Sequence, residues 1–155
     1  MKNNLKSVYF FSIIFFVVDQ AIKIFLSNSV QLNQSIPIIK DFFSITHVHN
    51  TGAAFSIFTG NTAFLILIGI ACVIAISIYI KKIENLSDLD IFIYSLLIGG
   101  ILGNLFDRIY HGYVIDYLSF NFGSYYFPIF NFADICIVVS IGLIIINTIR
   151  EDLWK

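Results

Sequence analysis

Four long apolar runs dominate the chain, separated by segments that mix polar, aromatic and β-branched residues. The first covers about 7–26 and is interrupted late by Asp19 and Lys23. The second, 63–80, carries no charge, and neither does the third, 91–106, which Leu89 extends. The fourth covers about 128–149 and carries one charge, Asp134. A spanning helix needs about 20 mainly apolar residues. The pattern therefore predicts an all-α integral membrane protein with four transmembrane helices, at about 7–26, 63–80, 89–106 and 128–149. Pro128 suits a helix start, where its missing N–H costs nothing. Segments 27–61 and 107–127 remain outside the spans. Within the first, 42–49 is rich in aromatic and β-branched residues and predicts short strands, so a small extracytoplasmic β-containing segment joins the bundle. The stretch 110–127 holds eight Phe or Tyr, a density that fits an interfacial belt and equally an apolar clamp over a substrate. The whole of 1–155 is expected to form a single transmembrane domain.

Composition sharpens this picture. The chain is 58% hydrophobic and 12% charged, with a mean hydropathy of +0.88, against roughly 25% charged residues in soluble domains. A net charge of −1 excludes nucleic acid as an expected partner. Cys72 and Cys136 lie inside apolar runs and read as small core hydrophobes. Without a CxxC or a Cys/His cluster, no metal site is expected. Lys2 and Lys6 before the apolar run imitate a secretory signal, but no A-x-A-like site follows and Asp19-Gln20 interrupts the run, so it reads as a retained span. Lys and Arg mark the cytoplasmic side. With the N-terminus inside, Lys2, Lys6, Lys81, Lys82, Arg150 and Lys155 fall inside, and Lys23, Lys40 and Arg108 fall outside. Both termini are expected to be cytoplasmic.

That orientation aligns the unusual acids. Carboxylates are expensive in lipid, yet Asp19, Asp107, Asp116, Asp134 and, more weakly, Asp41 stand in or beside the spans. Asp19 lies roughly 18 Å along the first helix, at about 1.5 Å per residue. Asp134 is expected roughly 9 Å down the fourth helix from Pro128, with Asp107 ending the third and Asp116 in the outer loop. The acids converge near the outer interface. Two carboxylates sharing a site cannot both ionise cheaply. One can take a proton from water while the other, expected to be Asp134 in its helix, keeps a proton and polarises a carbonyl, as a pair that titrates together. From spacing alone, a structural acid pair or an ion relay stays open.

Other constellations surround this pair. Asp19 and Lys23, at i and i+4, can neutralise each other as a structural ion pair, or orient a substrate. Gly99 and Gly103 allow close helix approach, and Asn104, Asp107 and Arg108 follow on one face, with Arg108 expected to pair with an acid. In 49–56, Asn50 offers hydrogen bonds to a peptide backbone and Gly52 a positive φ; a bland tight loop reads equally well. His47, His49 and His111 sit at no diagnostic spacing from an acid or nucleophile. No GxSxG or Ser/His/Asp arrangement stands out.

Taken together, these motifs resemble signal peptidase II, the bacterial lipoprotein signal peptidase. The resemblance runs through Asp19-Gln20-x-x-Lys23, then Asn50-Thr51-Gly52-Ala53-Ala54-Phe55-Ser56, Gly99-Gly100-x-x-Gly103-Asn104-x-x-Asp107-Arg108, Gly112-x-Val114-x-Asp116 and Phe130-Asn131-x-Ala133-Asp134. It implies a membrane aspartyl endopeptidase that cuts prolipoproteins before a cysteine bearing diacylglyceryl, in the bacterial cytoplasmic (inner) membrane, with its site facing outward. It implies Asp116 and Asp134 as the catalytic dyad, with Asn50, Asp107, Arg108 and Asn131 supporting, Asp19 and Lys23 close by, and Gly52, Asn104 and Ala133 inside the matching motifs. It implies no metal or organic cofactor, membrane lipid and lipid-modified signal peptides as partners, and globomycin-type inhibitors; nothing demands more than a monomer. Ile115 and Tyr117 flank Asp116 where the family often has Val and Phe, and Phe132 and Ile135 stand where a smaller aliphatic and often Ser are expected. The rivals are a small transporter, a presenilin-like protease and an assembly factor. A transporter prefers midplane charges and repeats, a presenilin-like protease needs a Gly-x-Gly-Asp that is absent, and an assembly factor gives no reason for five polar motifs on one face.

Overall fold

The computed structural model describes residues 2–52 and 57–153. Ala53, Ala54, Phe55 and Ser56 of the Asn50 motif, and Lys155 of the charge count, lie outside the described residues. The elements run α1 (Lys2–Ser29), β1 (Ser35–Ile39), β2 (Phe43–Asn50), α2 (Thr62–Ile80), α3 (Asp88–His111), β3 (Val114–Phe120) and α4 (Phe132–Leu153). All four helices are long and apolar enough to cross a membrane. The shortest, α2, has 19 residues, about 28 Å at 1.5 Å per residue, close to the roughly 30 Å hydrocarbon core.

The bundle is organised around α3. Its apolar window is 56% buried, against 22%, 11% and 17% for α1, α2 and α4. Glycines explain why its neighbours come so close. A Cβ on Gly99 would lie 2.8 Å from the Ser12 carbonyl oxygen of α1, and one on Gly103 would overlap the Asp19 carboxylate. Side chains such as Phe10, Phe25, Leu67, Val138 and Ile146 point outward, each more than 60% exposed. An apolar surface around an apolar bundle is what a lipid solvent requires. At the far end, Val8, Ile80, Leu86, Tyr94 and Ile98 form a packed cluster.

Two of the helix ends that differ from the sequence expectation bear on the site. α3 continues past Phe106 to His111 and stops at Gly112, whose φ of 82° lets its N–H return to the Arg108 carbonyl. Its start is a capping box: Ser87 accepts from the Asp90 amide while the Asp90 side chain accepts from the Ser87 amide. α4 begins at Phe132, not Pro128. The segment before it is committed elsewhere, because Phe130 pairs with β3: the Tyr117 and Leu118 amides donate to its carbonyl at 3.0 and 2.8 Å.

The expected strand in 42–49 is β2. It is the centre of an antiparallel three-stranded sheet in the order β1-β2-β3. Strand β3 replaces what reads as loop in the sequence. It pairs Asn50 with Val114 and Val48 with Asp116, with an irregular register between Ile45 and Val48. β3 follows α3 and precedes α4 in the chain and packs on α3 and α1, so the sheet sits at the end of the bundle where α3 stops and α4 starts. Asp41 is an exposed residue in the β1–β2 turn, with φ 59°.

Candidate active site

Asp134 lies in the first turn of α4, nearer the helix start than the six-residue depth expected from Pro128. Asn131 caps that helix. The Asp134 amide donates to Asn131 Oδ1 at 3.0 Å, and the Asn131 amide donates to Asp134 Oδ2 at 3.1 Å. This reciprocal cap satisfies two helix-terminal donors. It also fixes the Asn131 side chain, whose Nδ2 donates to Asp116 Oδ1 at 2.7 Å. Asp116 stands on β3, not in a loop. One carboxylate rides on a strand, the other on a helix, and Asn131 touches both.

Each carboxylate has a second donor. Asn50, two residues along β2 from the partner of Asp116, donates to Asp116 Oδ2 at 2.8 Å. Asn104 of α3 donates to Asp134 Oδ1 at 2.7 Å. All four carboxylate oxygens thus accept one bond, each from a neutral amide. Asp116 is 2% exposed, whereas Asp134 is half-buried. Burial pushes the Asp116 carboxyl up to about 7; the charge of Asp134 adds to the rise, while the bonds from Asn50 and Asn131 and the charge of Lys23 oppose it. Burial and the neighbouring acid thus both favour the protonated form of Asp116.

A charged layer lies beneath. Lys23 Nζ bonds Asp19 at 2.8 Å and Asp107 at 2.9 Å, and donates to Asn104 Oδ1 at 3.1 Å. All three charged residues are at most 1% exposed. Asp19 also accepts from the Ala133 amide at 3.0 Å, and Asp107 from the Ile115 amide at 3.2 Å. These bonds tie the charged layer to the residues just before Asp134 and Asp116. Gln20 spans both acids, donating to Asp107 at 2.9 Å and Asp19 at 3.2 Å. The sequence expectation of a self-contained Asp19–Lys23 pair is thus too small: Lys23 serves two acids. Breaking such a buried arrangement costs about 3–5 kcal/mol, because it strands an uncompensated charge.

The expectations for Arg108 and Gly52 need correction. Arg108 donates to the Gly52 carbonyl at 2.8 Å and the Asn104 carbonyl at 3.3 Å; among the described residues no carboxylate lies within ion-pair reach of it. Helix geometry explains this, since Asp107 points to the buried Lys23 and Arg108, one residue on, points elsewhere. Gly52 does not take a left-handed backbone. It is needed for space: a Cβ would lie 2.9 Å from the Ile57 carbonyl oxygen. The Gly52 amide closes a turn on Asn50 Oδ1 at 2.9 Å, which orients the Asn50 amide toward Asp116.

Both candidate carboxylates open on one cavity of about 1020 Å³, walled by Asn50, Asn104 and Arg108 on one side and by Ile135, Val138 and Val139 of α4 on another. Tyr126, Phe127 and Phe130 complete it. Its size suits a large, mostly apolar ligand. His49, which the sequence reading sets aside, also lines it. His49 stacks on Tyr113 with ring centroids 3.6 Å apart; burial lowers its pKa, and His47 and His111 add to the drop. His47 is buried, its Nδ1 2.8 Å from the Val30 carbonyl oxygen. Tyr117 is a further supporting residue that the sequence reading misses: the Phe132 amide donates to its hydroxyl at 3.0 Å, at the start of α4. The signal for it was present, as a Tyr where the family often carries Phe.

The profile of the family described as "Signal peptidase (SPase) II" matches residues 11–150. A "Lipoprotein signal peptidase" of Clostridium acetobutylicum is 42% identical over 137 residues, covering 88% of this chain and 89% of that one. A protein of the same description from Halothermothrix orenii is 40% identical over 145 residues, covering 94% and 97%. Among solved structures, a bacterial membrane enzyme determined by the in meso method at 2.3 Å superposes with a TM-score of 0.88 at 31% identity, covering 97% of this chain and 92% of that one.

Proposed function

The chain belongs to the signal peptidase II family, and from that premise we propose that it is an aspartyl endopeptidase that removes the signal peptide from diacylglyceryl-modified prolipoproteins, cutting just before the lipidated cysteine. The observation that carries the reading is the Asn131 bridge. One residue binds Asp116 through its side chain and Asp134 through its backbone, and both acids line one cavity. Asp116 and Asp134 form the catalytic dyad; Asn50, Asn104 and Asn131 position them, and Arg108 with Gly52 holds the turn that carries Asn50. Asp19, Lys23 and Asp107 anchor this frame, with Asp19 reaching the dyad helix through the Ala133 amide and Asp107 reaching the dyad strand through the Ile115 amide.

The dyad works with one shared proton. Burial favours Asp116 as its holder, in place of the Asp134 expected from the sequence. Asp134 takes a proton from water, whose oxygen attacks the scissile carbonyl carbon, while Asp116 gives its proton to the carbonyl oxygen. As the tetrahedral diol collapses, Asp116 takes back a proton from one hydroxyl, the C–N bond breaks, and Asp134 passes its proton to the leaving amine, which restores the singly protonated pair. No metal, cofactor or covalent enzyme intermediate is needed. The apolar face of α4 accommodates the signal helix and the lipid chains; globomycin-type inhibitors occupy the same cavity. The Lys and Arg distribution supports cytoplasmic termini and a site at the extracytoplasmic face of the bacterial cytoplasmic membrane, with the monomer as the working unit.

The test compares detergent-solubilised wild type, Asp116→Asn and Asp134→Asn on a lipid-modified prolipoprotein peptide, by product mass. A cut before the lipidated cysteine in wild type alone is expected. Substantial cleavage by either folded variant removes the dyad from the mechanism.

A further inference from the structure

The candidate site occupies one end of α3, and the other end holds a second cavity that peptide cleavage leaves unused. α1, α2 and α4 all pack on α3, while α2 and α4 scarcely touch each other. The strip of α3 left between them, here called the groove, joins the ends at which the two cavities lie. Its floor follows Asn104, Ile101, Leu97, Tyr94 and Asp90, spaced by three or four residues and so on one face. Its α4 wall follows Asp134, Val138, Ile141, Ile145 and Thr148 at the same spacing. Val138, Ile141 and Ile145 are 68%, 45% and 53% exposed, so this wall is apolar and open sideways to lipid.

The far end of the groove is a cavity of about 290 Å³ between α2, α3 and α4, with Tyr79, Tyr94, Asn147 and Thr148 in its wall. Asp90 is the one charged residue lining it among those described. Both Ser87 bonds to Asp90 fall on Oδ2, at 2.9 and 2.7 Å, which leaves Oδ1 clear of them. Glu84 stands between the wall residues Ile83 and Asn85, and Lys81 and Lys82 precede Ile83 on the same connection. Arg150, exposed at the rim, is turned onto Asn147 Oδ1 at 2.8 Å.

We propose that this far cavity seats the basic N-terminal region of the substrate's signal peptide, with Asp90 as its charge partner, and that the groove gauges the apolar stretch between that region and the bond to be cut. The proposal rests on the peptidase reading and extends it to substrate selection. Signal peptides carry a basic leader followed by about 7–15 apolar residues. Asp134 and Thr148 mark the two ends of the groove, about 21 Å apart at 1.5 Å per residue. A helix of about 14 residues spans that distance, or a shorter helix continued by a few extended residues at about 3.3 Å each. A lysine at its start keeps its stem on Tyr79 and Tyr94 and its ammonium at Asp90, the snorkelling that long basic side chains adopt at a membrane surface.

The test uses the full-length protein in phospholipid vesicles and lipid-modified prolipoprotein peptides. The peptides carry either lysines or glutamines in the leader, and apolar stretches from about 7 to about 18 residues. Wild type is compared with Asp90→Asn and with Thr148→Lys, which adds a positive charge to the wall without touching the α3 capping box. In wild type, glutamine leaders raise KM about twofold to fivefold, the scale of a partly screened ion pair, with kcat unchanged. Asp90→Asn abolishes that preference, and Thr148→Lys reverses it. KM passes through a minimum at about 10–14 apolar residues, the length set by the helical and extended rises. An equal lysine preference in all three proteins, or a KM indifferent to leader and length, overturns the proposal while leaving the peptidase reading intact. A wild type that cuts none of the peptides overturns both.

Discussion

Replacing Asp116 by Asn should make the protein more stable at alkaline pH while stopping its chemistry. The Asp116 carboxyl titrates at about 7 in the fold, against 3.8 when exposed. A raised carboxyl pKa means that the folded state binds the proton more tightly than the unfolded one. Stability from this group is therefore greatest below pH 3.8, declines as pH rises through the window, and is lost above about 7. At about 1.36 kcal/mol per pH unit, the full loss is on the order of 4 kcal/mol. Asparagine never ionises and escapes it. The replacement has its own cost, because its NH₂ faces one of the two donors, Asn50 or Asn131, and strands it, at about 1–3 kcal/mol. The balance is a gain of about 2 kcal/mol at pH 8, falling to about zero near pH 5, where the remaining penalty of roughly 1.6 kcal/mol is offset by the stranded donor. For a chain of this size that gain raises Tm by about 4–8 °C at pH 8. Thermal unfolding of both proteins in the same detergent, from pH 4.5 to 8.5, reads it directly. A Tm difference that stays constant across the window, or an Asn variant less stable at pH 8, refutes the claim that burial of Asp116 holds the shared proton.

Two further outcomes follow from the layers beneath and beside the dyad. Lys23→Met leaves Asp19 and Asp107 facing each other without a cation and should cost about 3–5 kcal/mol, read as a Tm drop; adding Asp107→Asn to the same chain should recover part of it, and an unchanged Tm in the single variant would remove the triad as an anchor. Tyr117→Phe strands the Phe132 amide at the start of α4 and should cost about 1 kcal/mol with kcat within about twofold of wild type, since the hydroxyl holds the helix and not the dyad; a loss of activity without a loss of stability would assign Tyr117 to the chemistry instead.

The contrast between what the chain discloses and what it conceals follows from the range of each interaction. The four spans are legible because lipid imposes one rule on about 20 consecutive residues, and the rule is local. Strand β2 is legible for a similar reason, since its aromatic and β-branched residues carry their preference alone. Strand β3 escapes, because Asp116 and its aromatic neighbours read as a loop and a belt until β2 is there to pair with them. The start of α4 was open to a better reading. Asn131 and Asp134 stand at capping-box spacing, a stronger helix signal than Pro128, and recognising it places Asp134 in the first turn.

That misplacement matters because the site depends on it. At six residues into a helix, Asp134 is an acid in hydrocarbon that needs a cation. In the first turn it is a capping residue, stabilised by the helix N-terminus and still facing a cavity. Sequence spacing likewise discloses Lys23 beside Asp19 but conceals Asp107, which arrives only when α3 docks on α1 at Gly103. The same docking carries Asn104 to Lys23 on one side and Asp134 on the other. A single amide thereby connects a buried charged layer, whose breakage is costly, to the pair of carboxylates proposed as the dyad. The packing of α3 against α1 and α4 is thus the step at which separate motifs become one site. A substitution that prevents it, such as Gly103→Leu, would dismantle both layers together without altering any of their polar residues.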